Sequence, residues 1–144
     1  MVVRHSSLPT LNLACPQLPL VLVVDDDDDS LTLMAYILEQ LSCQAYFVAD
    51  GLAALVAAKQ YRPQLILSDI HLPEIDGYSL LQQLRADGDT QNIPVIAVTA
   101  LASHTDRQKI LTAGFDDYLS KPFLIQSLEQ LINSFIQLST SCNA

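Results

Sequence analysis

The sequence predicts a single α/β domain in which a doubly wound, five-stranded parallel sheet is covered on both faces by five helices. Three observations predict it. Short apolar runs alternate with helical patterns along the chain, which is the signature of right-handed β-α-β crossovers. The runs are almost continuously apolar, as strands buried on both faces must be. The chain has 144 residues, half of them hydrophobic, enough for one core and no more.

Leu20-Val21-Leu22-Val23-Val24 is the first strand. After Asp25 to Asp29 and Ser30, the residues Leu31, Leu33, Met34, Ile37, Leu38 and Leu41 recur at helical spacing. Ala45 to Val48 reads as the second strand, Asp50-Gly51 as a turn, and the Ala-rich stretch Leu52 to Tyr61 as a helix. Leu65-Ile66-Leu67 is the third strand. Tyr78 to Ala86 is a helix with Leu80, Leu81 and Leu84 on one face, closed by Asp87-Gly88. Ile93 to Val98 is the fourth strand, with Pro94 tolerated near its start. A helix from Ser103 to Thr112 ends at Gly114, a favoured cap residue. Phe115 to Leu119 gives a short fifth strand stopped by Pro122, and Leu124 to Leu138 the last helix, with Leu128, Leu131, Ile132 and Phe135 inward.

The domain is expected over residues 19–138, preceded by a poorly ordered extension (1–18) and followed by a short tail (139–144). Sixteen acidic against seven basic side chains give a net charge of −9, which disfavours nucleic acid and anionic membranes as partners. No apolar run approaches the roughly 20 residues of a membrane span, and prolines interrupt the N-terminal region where a signal peptide would lie. Cys15, Cys43 and Cys142 are odd in number and form no CxxC pair, pointing to a reducing cytoplasm.

Five polar side chains share a topological address. Asp25 and Asp26 follow the first strand, Asp69 the third, Thr99 the fourth and Lys121 the fifth. Carboxyl ends of parallel strands gather at the switch point of an open sheet, so distant stretches of chain meet in one pocket. Crowded carboxylates need a counter-charge, and their oxygens suit a hard dication, Mg²⁺ or Mn²⁺. The Lys121 ammonium and the Thr99 hydroxyl suit phosphoryl oxygens, and one carboxylate can act as the nucleophile that forms an acyl phosphate. Asp27 to Asp29 read as helix-capping acids.

The chain resembles the response-regulator receiver domains of bacterial two-component systems, the chemotaxis regulators among them. Four segments carry the likeness: Val23 to Asp26, Ser68 to Pro73 continuing to Asp76-Gly77, Val98-Thr99-Ala100, and Gly114 to Phe123. The resemblance implies a flavodoxin-like fold with strand order 2-1-3-4-5. It implies that Asp69 is the phosphoacceptor, that Asp25, Asp26, Asp69 and the main-chain carbonyl of His71 bind the metal, and that Lys121 and Thr99 contact the phosphoryl oxygens. Tyr118 matches the family's aromatic switch, a plain core aromatic being the alternative. Lys121-Pro122 is expected to be cis, and Gly77 to let the loop pass close to the site. Leu101 is expected to limit water access to the acyl phosphate.

The implied function is a phosphoprotein of signal transduction, not an enzyme beyond its own phosphorylation and dephosphorylation. Its partners would be a sensor histidine kinase or a histidine phosphotransfer protein, and an unknown downstream protein. The residues after 138 leave no room for an output domain, so output is expected from a surface of a monomer that can dimerise on phosphorylation. The ending Phe115 to Pro122 resembles that of hybrid-kinase receivers, which raises a relay role. A haloacid-dehalogenase-like phosphohydrolase is the competing class, but it needs an acid two residues past the nucleophile, where this chain has His71.

Overall fold

Strand and helix alternate without exception along the described residues, 18–100 and 103–136 of a computed structural model. The order is β1 (Leu20–Val24), α1 (Asp28–Gln40), β2 (Gln44–Val48), α2 (Gly51–Tyr61), β3 (Leu65–Ser68), α3 (Gly77–Ala86), β4 (Val95–Thr99), α4 (His104–Ala113), β5 (Asp117–Ser120) and α5 (Ile125–Phe135). The strands form one sheet in the order β2-β1-β3-β4-β5, and each neighbouring pair is parallel. This is the flavodoxin-like arrangement.

Because successive strand residues point to opposite faces, the apolar runs feed two separate cores. Val21, Val23, Leu65, Leu67, Ile96 and Val98 face one side, where Leu31, Met34 and Leu38 of α1 and Leu128 and Ile132 of α5 cover them. Leu22, Val24, Ile66, Val95 and Ala97 face the other, against Ala54, Ala57 and Ala58 of α2, Leu80, Leu81 and Leu84 of α3, and Ile110 of α4. Each fully buried Leu or Ile contributes about 1.5–3 kcal/mol relative to exposure. The all-buried patterns of β1, β3 and β4 follow from having a layer of helices on each side.

Helix starts are set by short polar caps. Asp27, Asp50, Asp76 and Ser103 each accept from the main-chain N–H three residues on. Gly114 closes α4 in the left-handed conformation at φ 112°.

Several boundaries differ from the sequence expectation for identifiable reasons. β4 begins at Val95 rather than Ile93, because Pro94 has no N–H and contributes only its carbonyl, which accepts from Ile66 N–H at 2.9 Å. β5 begins at Asp117 rather than Phe115, whose ring is instead buried against α3 and α4 in the second core. α5 ends at Phe135 rather than Leu138. In α1, Leu33 matches the apolar pattern but is 52% exposed beside exposed Tyr36, so the buried stripe is narrower than the pattern. Residues 1–17 of the expected extension, the tail and Leu101 lie outside the described residues, whereas Leu18 is described and its carbonyl accepts from Gln44 Nε2 at 3.1 Å.

Candidate functional site

The two central acids are held by hydrogen bonds that run past the ends of their strands. Asp25 N–H donates to the Val48 carbonyl of β2 at 3.1 Å, and Asp69 N–H to the Val24 carbonyl of β1 at 2.9 Å. Both carboxylates are therefore fixed on adjacent strands at the same rim. Asp25, Asp26 and Asp69 each place a carboxylate oxygen within 4.8 Å of the others. Asp25 is buried, Asp69 half-buried and Asp26 exposed. A trio of hard oxygen donors, graded from buried to open, fits a divalent cation.

Lys121 comes in from the far edge of the sheet. Its main-chain N–H donates to the Thr99 carbonyl at 2.8 Å, which ties the start of the β5–α5 turn to the end of β4. Its ammonium donates to Asp25 Oδ2 at 2.7 Å and to Asp69 Oδ2 at 3.3 Å. Burial alone would lower the Lys121 pKa, but the two carboxylates outweigh it and hold the ammonium above its ordinary value. One ammonium among three carboxylates leaves the cluster with excess negative charge.

Main-chain amides complete the cradle. Asp69 Oδ1 accepts from Ile70 N–H at 2.6 Å and His71 N–H at 3.2 Å, and Asp25 Oδ1 accepts from Asp27 N–H at 2.9 Å. The loop after β3 then folds back tightly: Gly77 N–H donates to the Ile70 carbonyl at 2.7 Å. A Cβ at Gly77 would lie 2.6 Å from the Asp69 carbonyl oxygen and 2.8 Å from Ile70 Cα, so only glycine fits without a shift.

Thr99 is fully buried at the end of β4, next to β3 in the sheet. The Lys121–Pro122 peptide is cis. Tyr118 is half-buried against the second core, with the Arg107 guanidinium 5.6 Å from its ring centroid. His71 is exposed at the rim. Asp27 is the N-cap of α1, and Asp28 and Asp29 occupy its first turn, so these three serve the helix.

Two participants were not singled out from the sequence. Ser30 Oγ lies 3.4 Å from the Lys121 ammonium and donates to Asp27 Oδ2 at 2.8 Å. Arg107 covers Tyr118. The acidic run itself was the only sequence signal for Ser30, which ends it; Arg107 carried none.

The model of the response regulator receiver domain matches residues 21–133. The chain is 35% identical over 116 residues to the polar-differentiation response regulator DivK of Brucella anthropi, covering 81% of this chain and 94% of DivK. It is 33% identical over 120 residues to the DNA-binding dual master transcriptional regulator RpaA of Synechocystis, covering 83% of this chain and spanning 50% of RpaA. Among solved structures, the receiver domain of the sensor histidine kinase PA1611 of Pseudomonas aeruginosa superposes with a TM-score of 0.76 at 36% identity. The match covers 81% of this chain and 96% of that one, which has a magnesium ion coordinated in its active-site cleft. The chemotaxis response regulator CheY4 of Vibrio cholerae shares the fold, with a TM-score of 0.77 at 24% identity over 83% of this chain and 99% of that one. With four carboxyl-end segments converging on one acidic rim and relatives matched across most of their length, the chain belongs to the response regulator receiver domain family.

Proposed function

We propose that the protein accepts a phosphoryl group on Asp69 from a sensor histidine kinase or a histidine phosphotransfer protein and signals through a phosphorylation-dependent protein-binding surface. The observation that carries this reading is the Lys121 ammonium bridging Asp25 and Asp69 inside a three-carboxylate cluster. A structural ion pair needs one acid; three acids around one cation fit a site that takes up further positive charge and a phosphoryl group.

The donor set fits Mg²⁺ or Mn²⁺, held by the Asp25, Asp26 and Asp69 side chains and the His71 main-chain carbonyl. When bound, the dication would neutralise carboxylate charge and charge developing on the phosphoryl oxygens. The chain's own groups do the rest. Asp69 is the nucleophile: its carboxylate forms an O–P bond as the N–P bond of a phosphohistidine breaks, and the amides of Ile70 and His71 hold it in a fixed rotation for attack. Lys121 offsets charge on the phosphoryl oxygens, and the Thr99 hydroxyl donates to one of them.

Thr99, drawn toward the phosphoryl group, would leave space that the Tyr118 ring enters, altering the face formed by α4, β5 and α5. The added phosphate brings up to about two negative charges to the rim, enough to remodel several contacts. The reading places the protein in the cytoplasm, as a monomer that can dimerise when modified. A relay role, handing the group to a second histidine protein, is the second reading. The 36% identity to a receiver that is part of a sensor histidine kinase favours it.

The test is intact-mass measurement after incubation with Mg²⁺ and a small phosphodonor. Wild type is expected to gain one phosphoryl group and Asp69→Asn none. No gain in wild type, or a gain that survives Asp69→Asn, refutes the assignment. Passage of the label from the modified protein to a histidine phosphotransfer protein, against its loss only as inorganic phosphate, separates relay from output.

A further inference from the structure

We infer that Ser30 is a positioning residue that holds the Lys121 ammonium on the Asp25 side of the site in the unmodified protein. This inference deepens the reading of Asp69 as phosphoacceptor, and the part concerning release of Lys121 rests on that reading.

A closed polar ring joins the rim to the first turn of α1. Starting at Lys121, the ammonium donates to Asp25 Oδ2 at 2.7 Å. The other oxygen of Asp25, Oδ1, accepts from Asp27 N–H at 2.9 Å. The Asp27 carboxylate, through Oδ2, accepts from Ser30 N–H at 3.0 Å and from the Ser30 hydroxyl at 2.8 Å. The same hydroxyl oxygen accepts from the Lys121 ammonium at 3.4 Å, which closes the ring. Ser30 spends its only proton on Asp27, so its lone pairs are oriented toward Lys121.

Two features separate this from an ordinary helix cap. The cap of α1 is complete without the hydroxyl, since Ser30 N–H already meets Asp27 Oδ2. The hydroxyl therefore adds a second bond to an acid that already caps the helix, and its distinct contact is the ammonium. Second, the ammonium is off-centre: it lies 2.7 Å from Asp25 but 3.3 Å from Asp69, and Ser30 is linked to Asp25, through Asp27. An ammonium has three protons, and Asp25, Asp69 and Ser30 account for three acceptors.

The consequence follows from differential contacts. Once Asp69 carries a phosphoryl group, Lys121 turns to the phosphoryl oxygens and leaves Ser30. A contact made in the unmodified state and lost in the modified one biases the protein toward the unmodified state. Ser30 thus sets how readily the site fills, without touching the phosphoryl group.

A double-mutant cycle tests the contact without any phosphodonor or divalent ion. The unfolding constants of wild type, Ser30→Ala, Lys121→Met and the double variant are measured by urea denaturation. The expected coupling is about threefold to tenfold in the unfolding constant, with Ser30→Thr, which keeps the hydroxyl, behaving as wild type. A coupling below threefold means that Ser30 only caps α1 and overturns the inference. A second measurement reads the release: the phosphodonor concentration giving half-maximal phosphorylated mass, with Mg²⁺ present. Ser30→Ala is expected to lower it about threefold while Ser30→Thr leaves it unchanged, and an unchanged or raised value for Ser30→Ala overturns the release. If wild type takes up no phosphoryl group, the phosphoacceptor reading fails and release fails with it, while the cycle still decides whether Ser30 holds Lys121.

Discussion

Gly77→Ala concentrates in one methyl group the coupling between chain path and site geometry. The added Cβ would sit 2.6 Å from the Asp69 carbonyl oxygen and 2.8 Å from Ile70 Cα, both backbone atoms that no rotamer change can move. Ordinary contact begins at 3.4 Å, so the loop or the helix must give by about 0.8 Å. The Gly77 N–H bond to the Ile70 carbonyl, 2.7 Å long, opposes that movement. Overpacking costs about 1–3 kcal/mol, against which alanine's better helix propensity returns about 0.5–1 kcal/mol. The expected net loss spans about 0–2.5 kcal/mol with a middle value of about 1, each kilocalorie lowering the melting temperature by roughly 2–8 °C. One displaced atom belongs to Asp69, the proposed acceptor, and the other to its neighbour Ile70, and misplacement by about 1 Å can cost about a hundredfold in rate. Phosphorylation of Asp69 by a small donor should accordingly slow by about tenfold or more. Gly88→Ala is the control, because a Cβ there meets nothing within 4 Å. The assay pairs thermal denaturation with the time course of intact-mass gain. A Gly77→Ala protein that melts with the Gly88→Ala control and is modified as fast as wild type would refute the reasoning.

Three further outcomes follow from packing and charge. Leu128→Ala, at a fully buried position beneath the first core, should cost about 2–5 kcal/mol in urea denaturation. Arg85→Met should cost about 1–2 kcal/mol, because Arg85 holds the Ile93 carbonyl at 2.7 Å and Asp116 at 2.9 Å; Lys59→Met, which breaks a solvent-exposed pair with Asp87, should leave the denaturation midpoint unchanged. Burial pushes the Cys43 thiol from 9.0 up to about 11, so alkylation of Cys43 by iodoacetamide at pH 8, read by peptide mass, should be slow until urea unfolds the chain. With the folded value above the unfolded one, stability due to the neutral thiol is complete below about pH 9 and declines as pH rises toward 11. The urea midpoint of Cys43→Ala should fall less over that interval than that of wild type.

Much of the site was legible because sequence periodicity announces where strands end, and in a parallel sheet the carboxyl ends share an edge. Asp25, Asp69, Thr99 and Lys121 could be grouped from those endings alone, before any distance was known. Ser30 could not: its partner is 91 positions away, and the contact depends on which way a long, flexible side chain folds. Arg107 over Tyr118 escaped for the same reason, being a matter of how α4 lies on β5. The misplaced strand starts, Ile93 and Phe115, have another origin. Both residues are apolar and buried or partly so, but packing into a core does not require membership in the ladder. Leu33 shows the converse, an apolar residue in a helical pattern that the fold leaves facing solvent.

The Lys121–Asp25 link spans 96 positions and joins the edge strand's turn to a strand with which it shares no ladder. Contacts that close so long a stretch of chain carry a loop-closure cost that local contacts do not. During synthesis the acidic pair and Asp69 leave the ribosome well before Lys121 does, and a domain generally folds as a unit. A nascent chain therefore holds Asp69 without Lys121, and the rim is complete only when the last strand docks. Completion of the rim is in this sense a quality mark: under the proposed phosphoacceptor role of Asp69, modification would select proteins that have finished folding.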